Sequence, residues 1–296
     1  MSQRGKKSCR NPGKTKNASA ISTRLLKRWK NLFYMIIGYF DDSGTSAHDS
    51  VVAVAGYIGS ELQWQRFCRE WGSLLSEFDV RVMHRTDLEN YRREFAGWTP
   101  EKRNEFVNKA QRIIKRRTYV AIGKAILRAD FEDLFPDNLK RFYGGAYGFC
   151  AILCLSRAKR WFDQTKVGDL IDWVFEAGTE GSGQISHLFN ALWRDGQMRN
   201  DFRLGNWSFA GKDVVPLQAA DVIAYEVFKH ATNQFVAQPR RRARLSLDHL
   251  VRPQDDEHLE CWTREDLQEY LTNPVAQRLV DDLTKAPLNN NVTEAG

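Results

Sequence analysis

The chain has 296 residues, 42% hydrophobic and 27% charged, a balance that excludes a wholly disordered chain and fits one large folded domain or two small ones. The formal net charge of +7 is uneven. Residues 1–30 carry ten Lys or Arg and no acid, so the other 266 residues, with 34 basic and 37 acidic side chains, come to −3, and the charge does not mark the folded part as a nucleic-acid surface.

Residues 1–33 read as a disordered basic extension. It is either a solvated arm or one that holds nucleic acid through phosphate charge. Its acid-free composition also resembles an organelle transit peptide, and Met35 offers an alternative start. The run "LFYMIIGYF" after it mimics a secretory leader, but it is too short to cross a membrane and no small-residue cleavage site follows. The five cysteines make no CxxC pair and no zinc spacing, which fits a reducing cytoplasm and gives no sign of a membrane protein.

From residue 34 to 235 the pattern is that of a mixed α/β domain. A strand is expected near 35–41, apolar on both faces and therefore central. The turn "DDSGTSAHDS" leads into a Val-rich strand at 51–59, which predicts an antiparallel hairpin. Residues 61–78 carry apolar side chains at i, i+3 and i+4 and predict a helix. "VRVMHRTDL" (80–88) reads as short and extended. A helix over 99–117 opens on a Thr cap and Pro100. Then come a strand at 118–127, a buried helix at 143–162, a strand at 170–178, a helix at 183–195, an extended run at 207–214 and a helix opened by Pro216. Trp64, Trp71, Trp161, Cys150 and Cys154 fall on apolar faces and read as core. Residues 236–296 read as a peripheral loop with a helix or two. The sum is an α/β fold with a sheet of about five strands.

Two strands end alike. "FDDSG" puts Asp41 and Asp42 at one strand end, and "FEAG" puts Glu176 at another. Open α/β sheets place their sites beyond the carboxyl ends of strands, and paired carboxylates there suit a hard divalent cation. Asp41 and Asp42 point to opposite faces, and periodicity does not choose between them; a plain turn is the simpler reading of the pair. Asp221 lies on the edge of the apolar stripe of "PLQAADVIAYEVFKHA". An acid there needs a partner or a metal. Gln218, one turn earlier, is placed to look into the same pocket, whereas Glu226, some 140° round the helix, is expected at the surface. His84 is a candidate proton shuttle or phosphate contact. Lys212 is a candidate phosphate contact, and "PRRRAR" (239–244) is a positive cluster. P-loop, GxSxG, HExxH and zinc motifs are absent.

"YFDDSGT" followed by "VVAVAGYIG", then His84 with "DL" at 87–88, then "PLQAADVIAYE", together resemble the bacterial family catalogued as domain of unknown function 3800 (DUF3800). Its usual forms are a strand ending in Asp-Glu-Ser-Gly and a late "PLQ-A-AD" helix; here Asp42, a shorter acid, stands where the family more often has Glu. The resemblance spans about 35–230. It implies a ribonuclease H-like fold, a mixed sheet whose first three strands are antiparallel with helices on both faces. It further implies that Asp41, Glu176 and Asp221 hold Mg²⁺ or Mn²⁺. The implied activity is metal-assisted phosphodiester hydrolysis on nucleic acid, with two ions roughly 4 Å apart, His84 aiding proton transfer, and a setting in phage defence or a mobile element. Two other readings stand beside this nuclease. A non-catalytic nucleic-acid or protein binding module fits the near-neutral surface. A small-substrate phosphohydrolase would show a closed pocket where a nuclease shows a positive groove beside the acids, built from Lys212, Arg203 and residues 240–244.

Overall fold

The computed structural model describes residues 35–274 and 277, apart from 47, 166–169, 179–181 and 243; the basic extension at 1–33 lies outside the described residues. Six strands form one mixed sheet: β1 (Ile36–Ser43), β2 (Val51–Ser60), β3 (Val120–Leu127), β4 (Ile171–Glu176), β5 (Leu204–Ala210) and β6 (Leu259–Trp262), in the order β5-β4-β1-β2-β3-β6. β2 runs antiparallel to both β1 and β3. β4 is parallel to β1, β5 to β4, and β6 to β3. The expected hairpin is present. The sheet has one strand more than the five expected: "LECW", four residues without clear alternation, adds to the edge of β3.

Eleven helices are described: α1 (Glu61–Phe78), α2 (Arg85–Glu89), α3 (Pro100–Arg117), α4 (Arg128–Leu134), α5 (Asp137–Tyr143), α6 (Gly145–Thr165), α7 (Ser182–Arg194), α8 (Gly196–Asp201), α9 (Pro216–Ala231), α10 (Leu245–Leu250) and α11 (Arg264–Thr272). α2 corrects the expectation of an extended run through 88, since only the residues before Arg85 are non-helical. The helix expected at 143–162 begins after a break, because Gly144 turns the chain left-handed at the end of α5.

Strand alternation sends two apolar sets to opposite faces. Phe40, Val54, Ile58, Ile122 and Phe175 pack under α6 and α7. Ala53, Ala55, Tyr57 and Ala121 pack under α1, α3 and α9. α1 shows how the second layer forms. Ser60 caps its start by accepting from the Gln63 N–H, and Asp79 ends it in the left-handed region at φ 56°. Between them Trp64, Phe67, Trp71, Leu74, Leu75 and Phe78 are buried on one stripe, each stabilising by roughly 1.5–3 kcal/mol. No described helix is long and apolar enough to cross a membrane.

Candidate acidic site at the strand ends

The register of β1 and β4 brings the first two acids together. Phe40 pairs with Phe175, and both rings face the α6 side, 5.9 Å apart. Asp41 and Glu176 follow them and point to the other face, toward α9. Each strand then leaves the sheet at a glycine with positive φ, Gly44 at +76° and Gly178 at +91°. At Gly44 a Cβ would stand 2.1 Å from the Val51 carbonyl oxygen. The glycine that closes each motif is thus demanded by the turn.

Three carboxylates converge on one ammonium. Lys212 Nζ lies 3.4 Å from Asp41 Oδ2, 3.0 Å from Glu176 Oε2 and 3.5 Å from Asp221 Oδ1. Lys212 comes from the loop after β5, whose last residue, Ala210, pairs with Glu176. Gln218 holds that loop by donating from Nε2 to the Lys212 carbonyl at 2.9 Å. Its Oε1 accepts from Trp71 Nε1 at 2.9 Å and from the Met83 N–H at 3.0 Å. Gln218 therefore ties α1, the 80–84 segment and the lysine loop to α9, as a positioning residue. Asp221 Oδ2 accepts from the Arg85 N–H at 2.7 Å.

The pair "DD" divides its labour. Asp41 is 1% exposed; its Oδ1 accepts the Asp42 N–H at 2.7 Å and its Oδ2 has no hydrogen-bond partner. Asp42, half-buried on the opposite face, accepts from Thr45 Oγ1 at 2.7 Å and shapes the turn. His84 precedes α2 without capping it, beside the Glu176 and Asp221 carboxyls, which it draws downward.

The electrostatics follow from burial. Asp41 is pushed well above its ordinary value by burial, then by the adjacent Glu176 and Asp221 carboxylates, with Lys212 opposing. Burial also raises Asp221, against the pull of Lys212 and the Arg85 N–H. Burial would raise Glu176 too, but a hydrogen bond shared with the Asp41 carboxyl and the charge of Lys212 bring it below its ordinary value. Burial would lower Lys212, but Asp221, Asp41 and Glu176 outweigh it and hold the ammonium charged. Three acids against one base leave the cluster short of positive charge.

Hard oxygen donors, one of them an unsatisfied buried atom, suit a divalent cation. As it stands the shared point is taken by Nζ. Among the described residues, no three acids, histidines or cysteines are grouped as a ready metal cage.

The sequence missed a second cluster behind the first. Glu226, expected at the surface, is 1% exposed. Its Oε1 accepts from Arg85 Nη2 at 2.6 Å, and its Oε2 accepts from Ser246 Oγ at 2.7 Å and lies 3.4 Å from Arg244 Nε. Glu89 joins Arg85 at 2.8 Å, Arg244 at 2.5 Å, and Arg103. Helix pitch put Glu226 away from Asp221 correctly; what it could not show is that α2 and α10 cover that side. Arg203, expected beside the acids, instead sits at the start of β5, away from the strand ends, paired with Asp163 at 3.1 Å. No protein-family model and no curated protein matches the chain.

Proposed function

We propose that the chain is a divalent-metal-dependent nuclease of the ribonuclease H-like class, as the resemblance to DUF3800 implies. The observation that carries this reading is the meeting of Asp41, Glu176 and Asp221 around a single cationic centre. The strand order β5-β4-β1-β2-β3, with only β2 antiparallel to its neighbours, supports the fold assignment. The place of the acids, at the carboxyl ends of β1 and β4, supports the site.

In this reading the three carboxylates hold Mg²⁺ or Mn²⁺ once the Lys212 ammonium gives up the shared point. A divalent cation bound there supplies an activated water and charge stabilisation for the leaving oxygen. Lys212, displaced, offers its ammonium to a phosphate oxygen. His84 accepts or returns a proton at the edge of the site. Gln218 keeps the lysine loop in register with α9, and Asp42 keeps the strand end in its turn.

A second reading has its own observation. Lys212 occupies the point the three acids share, which suits a binding module that keeps the fold without turnover. Cleavage of labelled DNA and RNA with Mg²⁺ or Mn²⁺, run beside Asp41→Asn and Asp221→Asn, separates the two. Metal-dependent cleavage lost in both folded variants is the expected result. No cleavage, with no metal binding by calorimetry, would leave the binding module.

A further inference from the structure

A cleft of about 520 Å³ opens beside the C-terminal half of α9, lined by Glu89, Tyr225, Lys229, Asn233, Arg241 and Arg244 among others. Its volume is that of a small-ligand site. Its charge is lopsided. Glu89, the acid in its lining, is engaged by Arg85, Arg103 and Arg244. Lys229 and Arg241 have no carboxylate partner among the described residues; Lys229 Nζ lies 5.4 Å from the centres of the Tyr225 and Phe228 rings. The arginine segment is fastened there: the Arg241 N–H donates to the Asn233 carbonyl at 3.0 Å, and Asn233 Nδ2 donates to the Arg242 carbonyl at 3.3 Å. The basic run is thus folded against the end of α9, with Lys229 and Arg241, neither in an ion pair among the described residues, lining the cleft.

The position gives the ligand. Tyr225 and Lys229 follow Asp221 at i+4 and i+8 on α9, so they lie on neighbouring faces and Lys229 stands about 12 Å along the axis from the acid. A nucleic-acid backbone carries a charge at every nucleotide and spans that separation with more than one phosphate. A ligand that reaches both places carries negative charge at regular intervals and presents one ester to the acids. We infer that the cleft at Lys229 and Arg241 binds the phosphodiester backbone of a nucleic-acid strand, another linkage of which lies at Asp41, Glu176 and Asp221. This inference rests on the nuclease reading for what the acids do; the binding itself is tested apart from it.

The test is fluorescence anisotropy of the full chain with labelled single-stranded and duplex DNA and RNA, in EDTA, across roughly 50–200 mM salt. Lys229→Gln/Arg241→Gln removes two cations that hold no ion pair, and circular dichroism checks the fold. The expected result is binding weakened about tenfold or more at the low end of the salt range, with the salt slope reduced by about 2. The basic residues 1–30 are the same in every variant, so the difference in slope isolates the cleft. Lys229→Glu/Arg241→Glu should weaken binding further. Equal affinity and slope in the wild type and the Gln variant overturns the inference. So does a wild type that binds no oligonucleotide, or one from which polyglutamate displaces the strand as well as unlabelled oligonucleotide does. Cleft-dependent binding without any cleavage by the wild type supports the cleft and sinks the nuclease reading alone.

Discussion

On one side of α9, Asp221 joins Asp41 and Glu176 around Lys212; on the other, Glu226 joins Glu89 among Arg85, Arg103 and Arg244. The two clusters share a helix, and Arg85 belongs to both, since its backbone N–H serves Asp221 and its guanidinium serves Glu226. They differ in balance. In the second, three guanidiniums face two carboxylates, and every carboxylate oxygen has a cation or hydroxyl within reach. In the first, one ammonium serves three carboxylates, and Asp41 Oδ2 has no hydrogen bond. A buried ionic group in which every carboxylate oxygen is met holds elements together. One left short of positive charge is where the proposed cation would bind, and that contrast is the basis of the site reading.

The contrast breaks first at Glu226. Glu226→Leu removes the fully buried partner of Arg85, leaving that buried guanidinium with Glu89 alone, and should cost about 3–5 kcal/mol in chemical denaturation. Arg85→Met/Glu226→Leu should recover much of that loss, because it removes the pair together. The next effect is on chemistry. Asp221→Asn keeps an acceptor for the Arg85 N–H but lowers the charge offered to a metal, and should reduce metal-dependent cleavage by at least about 10²-fold. Asp41→Asn should behave oppositely to Glu226→Leu in stability. Without divalent metal it relieves a buried charge that has no hydrogen bond on Oδ2, and the melting temperature should rise, by an amount worth roughly 1–3 kcal/mol. If Asp41→Asn instead destabilises as much as Glu226→Leu, the acid cluster is scaffold too, and the site reading loses its footing.

Much of this was legible in the sequence, for identifiable reasons. Asp41, Glu176 and Asp221 were visible because each interrupts an apolar pattern at a place where an acid is costly, two at strand ends and one on the edge of a helix stripe. The hairpin and the helix opened by Pro216 were visible through turn and cap chemistry. Lys212 was noticed but its role was not, because a loop residue's reach depends on where β5 lies in the sheet. β6 escaped because four half-buried edge residues carry no strong alternation. Glu226 escaped for a different reason. Burial of its side of α9 is imposed by α2 and α10, and the arginines that make it tolerable come from positions 85 and 244, far away in the chain.

The smallest predicted effect concerns acid. Burial alone would raise Glu89, but Arg85, Arg244 and Arg103 outweigh it and hold the carboxyl at about 2, against an ordinary 4.5. Between those values the unfolded chain binds a proton that the folded chain refuses, so stability rises with pH across that window. The contribution is complete above 4.5 and fades as pH falls through 4.5 toward 2. Glu89→Gln should therefore flatten the acid limb of a stability–pH curve, by a modest amount because the carboxylate is partly open to solvent. Asp41 carries the opposite sign. Its carboxyl is raised above an ordinary 3.8, so in metal-free protein its share of stability is largest below 3.8 and declines as pH rises toward the raised value. Denaturation curves of the wild type, Glu89→Gln and Asp41→Asn from acid to neutral pH should diverge in opposite directions. Parallel curves would mean that the two clusters titrate alike, and the difference in charge balance between them would then carry no functional meaning.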